Sequence, residues 1–84
     1  MRLTAHVMSF DEELDALGLL CPLPVLKAAK RLRGMEAGAV LKIVTDDPAA
    51  LIDVPHFCNE QGHAFLGSEE ADGAQVHFIQ KKQG

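Results

Sequence analysis

The sequence predicts a two-layer α/β domain of order βαβαββ, with both helices on one face of a four-stranded mixed sheet. Three observations carry this. Runs at 13–17 and 40–45 alternate apolar and polar residues with the period of a strand. Each leads into a proline-marked stretch of helical spacing, one from Pro22 and one from Pro48. Beyond Gly62, two further strand-like runs flank Asp72-Gly73, which reads as a hairpin turn.

The first strand, Glu13 to Leu17, sets Leu14 and Ala16 on one face and Asp15 and Leu17 on the other. A turn at Gly18 follows, then Leu20 and Cys21. Proline fits the first helical turn because its missing N–H has no intrahelical acceptor there. The spacing therefore predicts Cys21 as N-cap, Pro22 as first helical residue and Pro24 as third. At 100° per residue, Val25, Ala28, Ala29 and Leu32 share the core side, with Lys27, Lys30, Arg31 and Leu23 opposite. Gly34 suits the helix end and Gly38 the turn before the next strand. Val40 to Thr45 alternates Leu41 and Ile43 against Lys42. Asp47 and Pro48 repeat the pattern of cap and first helical residue. The second helix carries Ala50, Leu51, Val54, Phe57 and Cys58 on one stripe. Pro55 predicts a kink or two half-helices within it, and Gly62 its end. Strands at 63–68 and 75–82 complete the sheet.

Eighty-four residues suit one small domain over 1–84, with an ordered core at about 13–82 and residues 1–10 as an N-terminal extension. Two cysteines make no disulfide framework. Met1 to Phe10 holds no apolar run of signal-peptide length, and no segment approaches the ~20 apolar residues that span a bilayer. The expected location is the cytoplasm, with no membrane association. A formal net charge of −4 argues against direct nucleic-acid binding. Four of the eight Lys and Arg nevertheless fall in the first helix, while acids gather at 11–15, 46–47 and 69–72. Lys27, Lys30 and Arg31 thus offer a docking face for an acidic partner; an ordinary solvated helix face fits the same pattern.

Cys21 is the candidate nucleophile. An ordinary thiol is only about 3% thiolate at pH 7, and a helix N-terminus lowers its pKa. The dipole supplies roughly 0.3–1 kcal/mol, short of the ~1.4 kcal/mol that one pKa unit represents. A charge-assisted hydrogen bond of about 1.5–3 kcal/mol supplies the rest, and with Pro24 lacking an N–H, the donor expected is Leu23. Leu20 and Leu23 flank the sulfur as an apolar rim, although Leu20 also fits a place buried in the turn. Cys58, on an apolar stripe, reads as a buried structural thiol. His56, Cys58 and His63 lack a fourth ligand at familiar spacing, so no metal site and no cofactor are expected. His6 and His77 have no partner visible in the sequence, and no general base stands near Cys21 along the chain.

Leu14-Asp15-x-x-Gly18-Leu19-x-Cys21-Pro22-x-Pro24 resembles the signature of the TusA/SirA-type sulfur carrier proteins. Asp46-Asp47-Pro48, Asp53-Val54-Pro55, Phe57-Cys58 and Gly62-His63 resemble the second half of that family in order and spacing. The resemblance implies a sulfurtransferase whose cysteine, Cys21, accepts sulfur as a persulfide from a donor protein, such as a cysteine desulfurase or a rhodanese-like protein. It then passes the sulfur to an acceptor protein, in tRNA thiolation, molybdenum-cofactor assembly or sulfur metabolism. Asp15, Gly18, Pro22, Leu23 and Pro24 would support the cap and turn. The persulfide would face the helix N-terminus, whose dipole favours its anion. The chain departs from the tRNA-thiolation members at Leu23, where they carry an acid, and at Leu20, a commonly basic position; the acceptor stays open. Two other readings also stay open: a non-catalytic regulatory or adaptor domain that binds a protein through the basic helix, and a thiol redox sensor.

Overall fold

The computed structural model describes residues 9–83; most of the expected N-terminal extension, His6 included, lies outside them. The elements are β1 (Glu12–Ala16), α1 (Leu23–Arg33), β2 (Val40–Thr45), α2 (Ala50–Gln61), β3 (Ala64–Ala71) and β4 (Ala74–Gln80). The sheet order is β1-β2-β4-β3, with β1 and β2 parallel and the other pairs antiparallel. This is the predicted βαβαββ layout with a mixed sheet. The first strand lies one residue earlier than expected, and the hairpin strands reach closer to their turn.

Alternation decides which face is buried. Leu14 and Ala16 of β1, Leu41 and Ile43 of β2 and Ile79 of β4 all point toward the helices and are buried. Register explains their contiguity, since Leu14 lies opposite Ile43, and Leu41 opposite Ile79. Against them α1 sets Ala28 and Leu32, and α2 sets Ala50, Val54, Phe57 and Cys58. Each large apolar side chain buried in this way contributes roughly 1.5–3 kcal/mol. The β3–β4 turn has positive φ at both central residues, Asp72 at 53° and Gly73 at 79°. That is the hairpin turn whose twist matches its strands, and it favours an Asp-Gly pair.

Two helix expectations need correction. α2 begins at Ala50 with Ala49 as its cap, instead of at Pro48 capped by Asp47. A tighter turn precedes it, in which Ala50 N donates to Asp47 O and Leu51 N to Pro48 O. α2 also runs unbroken through Pro55 and forms no half-helices. Val54, Phe57 and Cys58, on either side of the proline, are all buried, so packing on the sheet outweighs the one hydrogen bond that Pro55 removes.

The same face holds a polar cluster toward the end of β2 that leads into α2. Thr45, Gln75 and His77 are buried. Thr45 Oγ1 donates to Gln75 Oε1 at 2.7 Å and lies 2.9 Å from His77 Nε2, while Ser68 Oγ lies 2.7 Å from His77 Nδ1. With the Thr45 proton given to Gln75, His77 Nε2–H donates to Thr45 and Nδ1 accepts from Ser68. Every polar atom of this neutral tautomer is thus satisfied. Burial holds the His77 pKa down at about 4.

Candidate functional site

Cys21 lies on the connection between β1 and α1 and is exposed. Three carboxylates fix this connection. Asp15 Oδ1 accepts from Leu17 N, Asp46 Oδ1 from Gly18 N and Asp47 Oδ2 from Cys21 N, each at 3.0 Å. The other Asp47 oxygen accepts from Ala49 N at 3.0 Å, so one side chain joins the Cys21 loop to the entry of α2. These two N–H bonds hold the Asp47 pKa below the usual carboxylate range. Gly18 sits at φ 79°, a conformation that a side chain would strain, and this reverses the chain directly after β1.

The helix start differs from expectation. α1 begins at Leu23 with Pro22 as its cap, and Pro24 is its second residue. Cys21 therefore precedes the cap, and the Cys21–Pro22 peptide is cis. Leu23 N donates to Leu20 O at 2.8 Å, so it is spent on the turn and unavailable to the sulfur. Pro24 has no N–H to offer. The expected helix-terminus support for a thiolate is largely absent.

Two carboxylates, Asp47 and Asp53, lie beside the Cys21 side chain instead. The Cys21 pKa lies above its ordinary value, first through hydrogen bonding to Asp53, then through desolvation and the negative charges of Asp53 and Asp47. The expectation of a depressed thiol pKa is thus reversed. Cys21 shares a narrow crevice with Pro24, Val25, Asp47, Ala50 and Asp53. It also borders an open groove of about 210 Å³ that runs along α2 past Asp53, His56, Phe57 and Glu60. His56 Nε2 and Glu60 Oε2 stand 3.4 Å apart across one helical turn. No general base is near Cys21 in sequence, yet folding brings three titratable side chains of α2 to its groove.

Leu20 is 70% exposed, which excludes burial in the turn, and Leu23 is exposed too. Of the large apolar residues outside the predicted rim, Leu26 at 57% and Ile52 at 75% are the most exposed among the described residues. Leu26 was accessible to sequence reasoning, being one helical turn from Leu23. Ile52 lies on the other helix and offered no such signal. Lys27, Lys30 and Arg31 line a separate open cavity of about 400 Å³ between α1 and β1, together with Glu12, Leu14 and Gly34. Arg31 is not a free cation: its Nη1 pairs with Glu12 Oε1 and donates to Glu13 O, both at 3.3 Å. Only Lys27 and Lys30 remain as exposed charges of the trio.

Cys58 is 1% exposed, and burial pushes its thiol up to about 11. Cys58→Ala should cost about 1–2 kcal/mol of stability and leave Cys21 chemistry untouched; urea unfolding and alkylation of the native protein check both. Among the described residues, no three His, Cys, Asp or Glu side chains gather as metal ligands. No helix among them is long and apolar enough to cross a membrane.

The profile of the family described as "Sulfurtransferase TusA" matches residues 12–81. A protein of Pseudomonas entomophila named "Sulfur carrier protein TusA" is 44% identical over 72 residues, covering 86% of this chain and 90% of that protein. One of the same name from Allochromatium vinosum is 44% identical over 73 residues, covering 87% and 95%. Among solved structures, a SirA-like protein from Desulfitobacterium hafniense superposes with a TM-score of 0.76 at 28% identity. The match covers 87% of this chain and all of that one.

Proposed function

The chain belongs to the TusA sulfurtransferase family, and we propose that it works as a sulfur carrier on Cys21. The Cys21 sulfur accepts the terminal sulfur of a donor protein's persulfide, the donor being a cysteine desulfurase or a rhodanese-like protein. It then presents Cys21–S–SH to an acceptor protein, in tRNA thiolation, molybdenum-cofactor assembly or sulfur metabolism. The span that the family covers serves as one carrier domain, and its workplace is the cytoplasm, where thiols stay reduced. One observation supports this above the rest: Cys21 is exposed on a loop braced by Asp15, Asp46 and Asp47, whereas Cys58 is buried. The same contrast weighs against the redox sensor, because the buried Cys58 is no resolving partner.

The roles of the neighbours follow from their places. Asp15 and Gly18 shape the turn, and Pro22 and Pro24 start α1 beside the sulfur. Leu20 and Leu23 form apolar ground for a partner, and Lys27 and Lys30 a charged flank. The test is the intact mass after incubation with a cysteine desulfurase and cysteine. A gain of one sulfur, lost on reduction, supports the carrier. Gains of oxygen support a sensor, and no change supports an adaptor.

Reversing Lys27 and Lys30 to Glu should leave melting nearly unchanged, within ~0.5 kcal/mol each, as exposed substitutions usually do. Transfer from the desulfurase should slow through association and lose much of its salt dependence. Alkylation of Cys21 by a small neutral reagent should change far less. Unaltered protein-to-protein transfer at low salt would reduce this face to a solvated surface. Arg31→Glu should behave differently and lower stability, because it faces Glu12 and abandons the Glu13 carbonyl.

A further inference from the structure

We propose that Asp53 is the second functional group of the site, keeping the proton on the Cys21 thiol until an arginine or lysine side chain of the sulfur-donor protein enters the groove and pairs with it. The inference rests on the sulfur-carrier reading of Cys21. Asp53 borders two recesses that reach Cys21, the narrow crevice and the open groove. The other charged groups near the sulfur are already occupied. Asp46 and Asp47 accept from the backbone N–H groups of Gly18, Cys21 and Ala49, and Glu60 faces His56. α1 lends Pro24 and Val25 to these cavities but no cation, since Lys27 and Lys30 line a different one. The Asp53 carboxylate is left beside the thiol, lining with Cys21 the same two recesses, and it raises the thiol pKa.

A carboxylate in that position opposes ionisation of the group it touches, and so restrains the nucleophile while the protein is alone. A cation paired with it removes the largest part of the opposition and leaves the smaller share of desolvation and Asp47. The groove suits an arginine or lysine on both counts, with Asp53 for the charged end and Val25 and Phe57 for the methylene stem. Once Asp53 is paired, the Cys21 thiol gives its proton to solvent and the thiolate attacks the terminal sulfur of the donor persulfide. The new S–S bond forms at Cys21 as the donor's S–S bond breaks. The donor thiolate leaves with the electron pair and takes up a proton, so the sulfur moves with no net oxidation or reduction of the two proteins.

The test begins with the intact protein and no partner. Alkylation by iodoacetamide is followed across pH for wild type, Asp53→Asn and Asp53→Glu, with thermal unfolding as the control for fold. Asp53→Asn should move the inflection to lower pH, raising the rate near neutral pH about tenfold for each unit moved; Asp53→Glu should keep the wild-type profile. Transfer from a cysteine desulfurase charged with cysteine should change in the opposite sense, becoming slower in Asp53→Asn and less sensitive to salt. An unmoved inflection in a folded Asp53→Asn protein overturns the restraint. Transfer that accelerates along with alkylation overturns the cation pairing. Alkylation involves no persulfide, so a wild type that never gains sulfur refutes the carrier reading and leaves the Asp53 restraint to be judged on its own.

Discussion

Cys21→Ser should gain no sulfur from a charged cysteine desulfurase, a complete loss rather than a reduction. Serine keeps the size and the backbone N–H that donates to Asp47 Oδ2, so the loop and the fold stay in place. An alkoxide is a far weaker acceptor of sulfane sulfur than a thiolate at neutral pH, and nothing in the site lowers its pKa. The remaining thiol cannot substitute, because Cys58 is 1% exposed with its pKa at about 11. Intact mass with and without reductant reads the result directly. A reducible sulfur on the Cys21→Ser protein would mean that α2 opens enough to expose Cys58, and would end the single-thiol mechanism.

Acid should unfold the protein more readily than its carboxylates alone would dictate, with His77 as the cause. Its folded pKa of about 4 lies below the ordinary 6.5 because burial disfavours the imidazolium. The unfolded chain therefore takes up a proton that the folded protein refuses. The stabilisation is fully present above pH 6.5 and is lost as pH falls from there to 4. The difference of 2.5 units amounts to about 3 kcal/mol, a large part of the stability of a small domain. His63, lowered by desolvation and by Lys82 and Lys81, acts in the same sense. Urea midpoints measured between pH 7 and pH 4 should fall steeply in wild type. In His77→Gln, which cannot titrate, they should fall much less. Equal slopes would show that His77 contributes nothing to the acid limb.

The parts legible in the sequence are those written in near neighbours. Alternation at Leu14/Ala16 and Leu41/Ile43 fixed the buried face of two strands. Spacing from Val25 to Leu32 oriented α1, and Asp72-Gly73 marked the hairpin. The geometry of Cys21 was misjudged by one residue, because two prolines one residue apart admit more than one helix start. The Leu23–Leu20 hydrogen bond and the first helical bond, from Leu26 N to Pro22 O at 3.1 Å, decide between them. The electrostatics came out with the wrong sign for another reason. Asp47 and Asp53 stand 26 and 32 positions downstream of Cys21, and only the packing of α2 beside α1 brings them to the sulfur. His77 was opaque for the same cause, since Ser68 and Thr45 reach it through strand pairing on both sides of β4. Arg31 read as a surface cation until β1 provided Glu12.

A carrier must leave each partner as readily as it meets it, and the two aspartates that begin the β2–α2 connection bear on this. Gly18 and Cys21 are moored to Asp46 and Asp47 before any partner arrives. The conformational freedom of the reactive loop is surrendered once, when the chain folds, and not again at each encounter. Ordering a loop on contact would subtract from every association and would have to be offset by a larger, stickier interface. With that cost already met, the carrier proposed above would need only a small apolar contact around the sulfur, and complexes of that size come apart quickly. Turnover in the proposed carrier would in this sense be set by side chains that need touch neither donor nor acceptor.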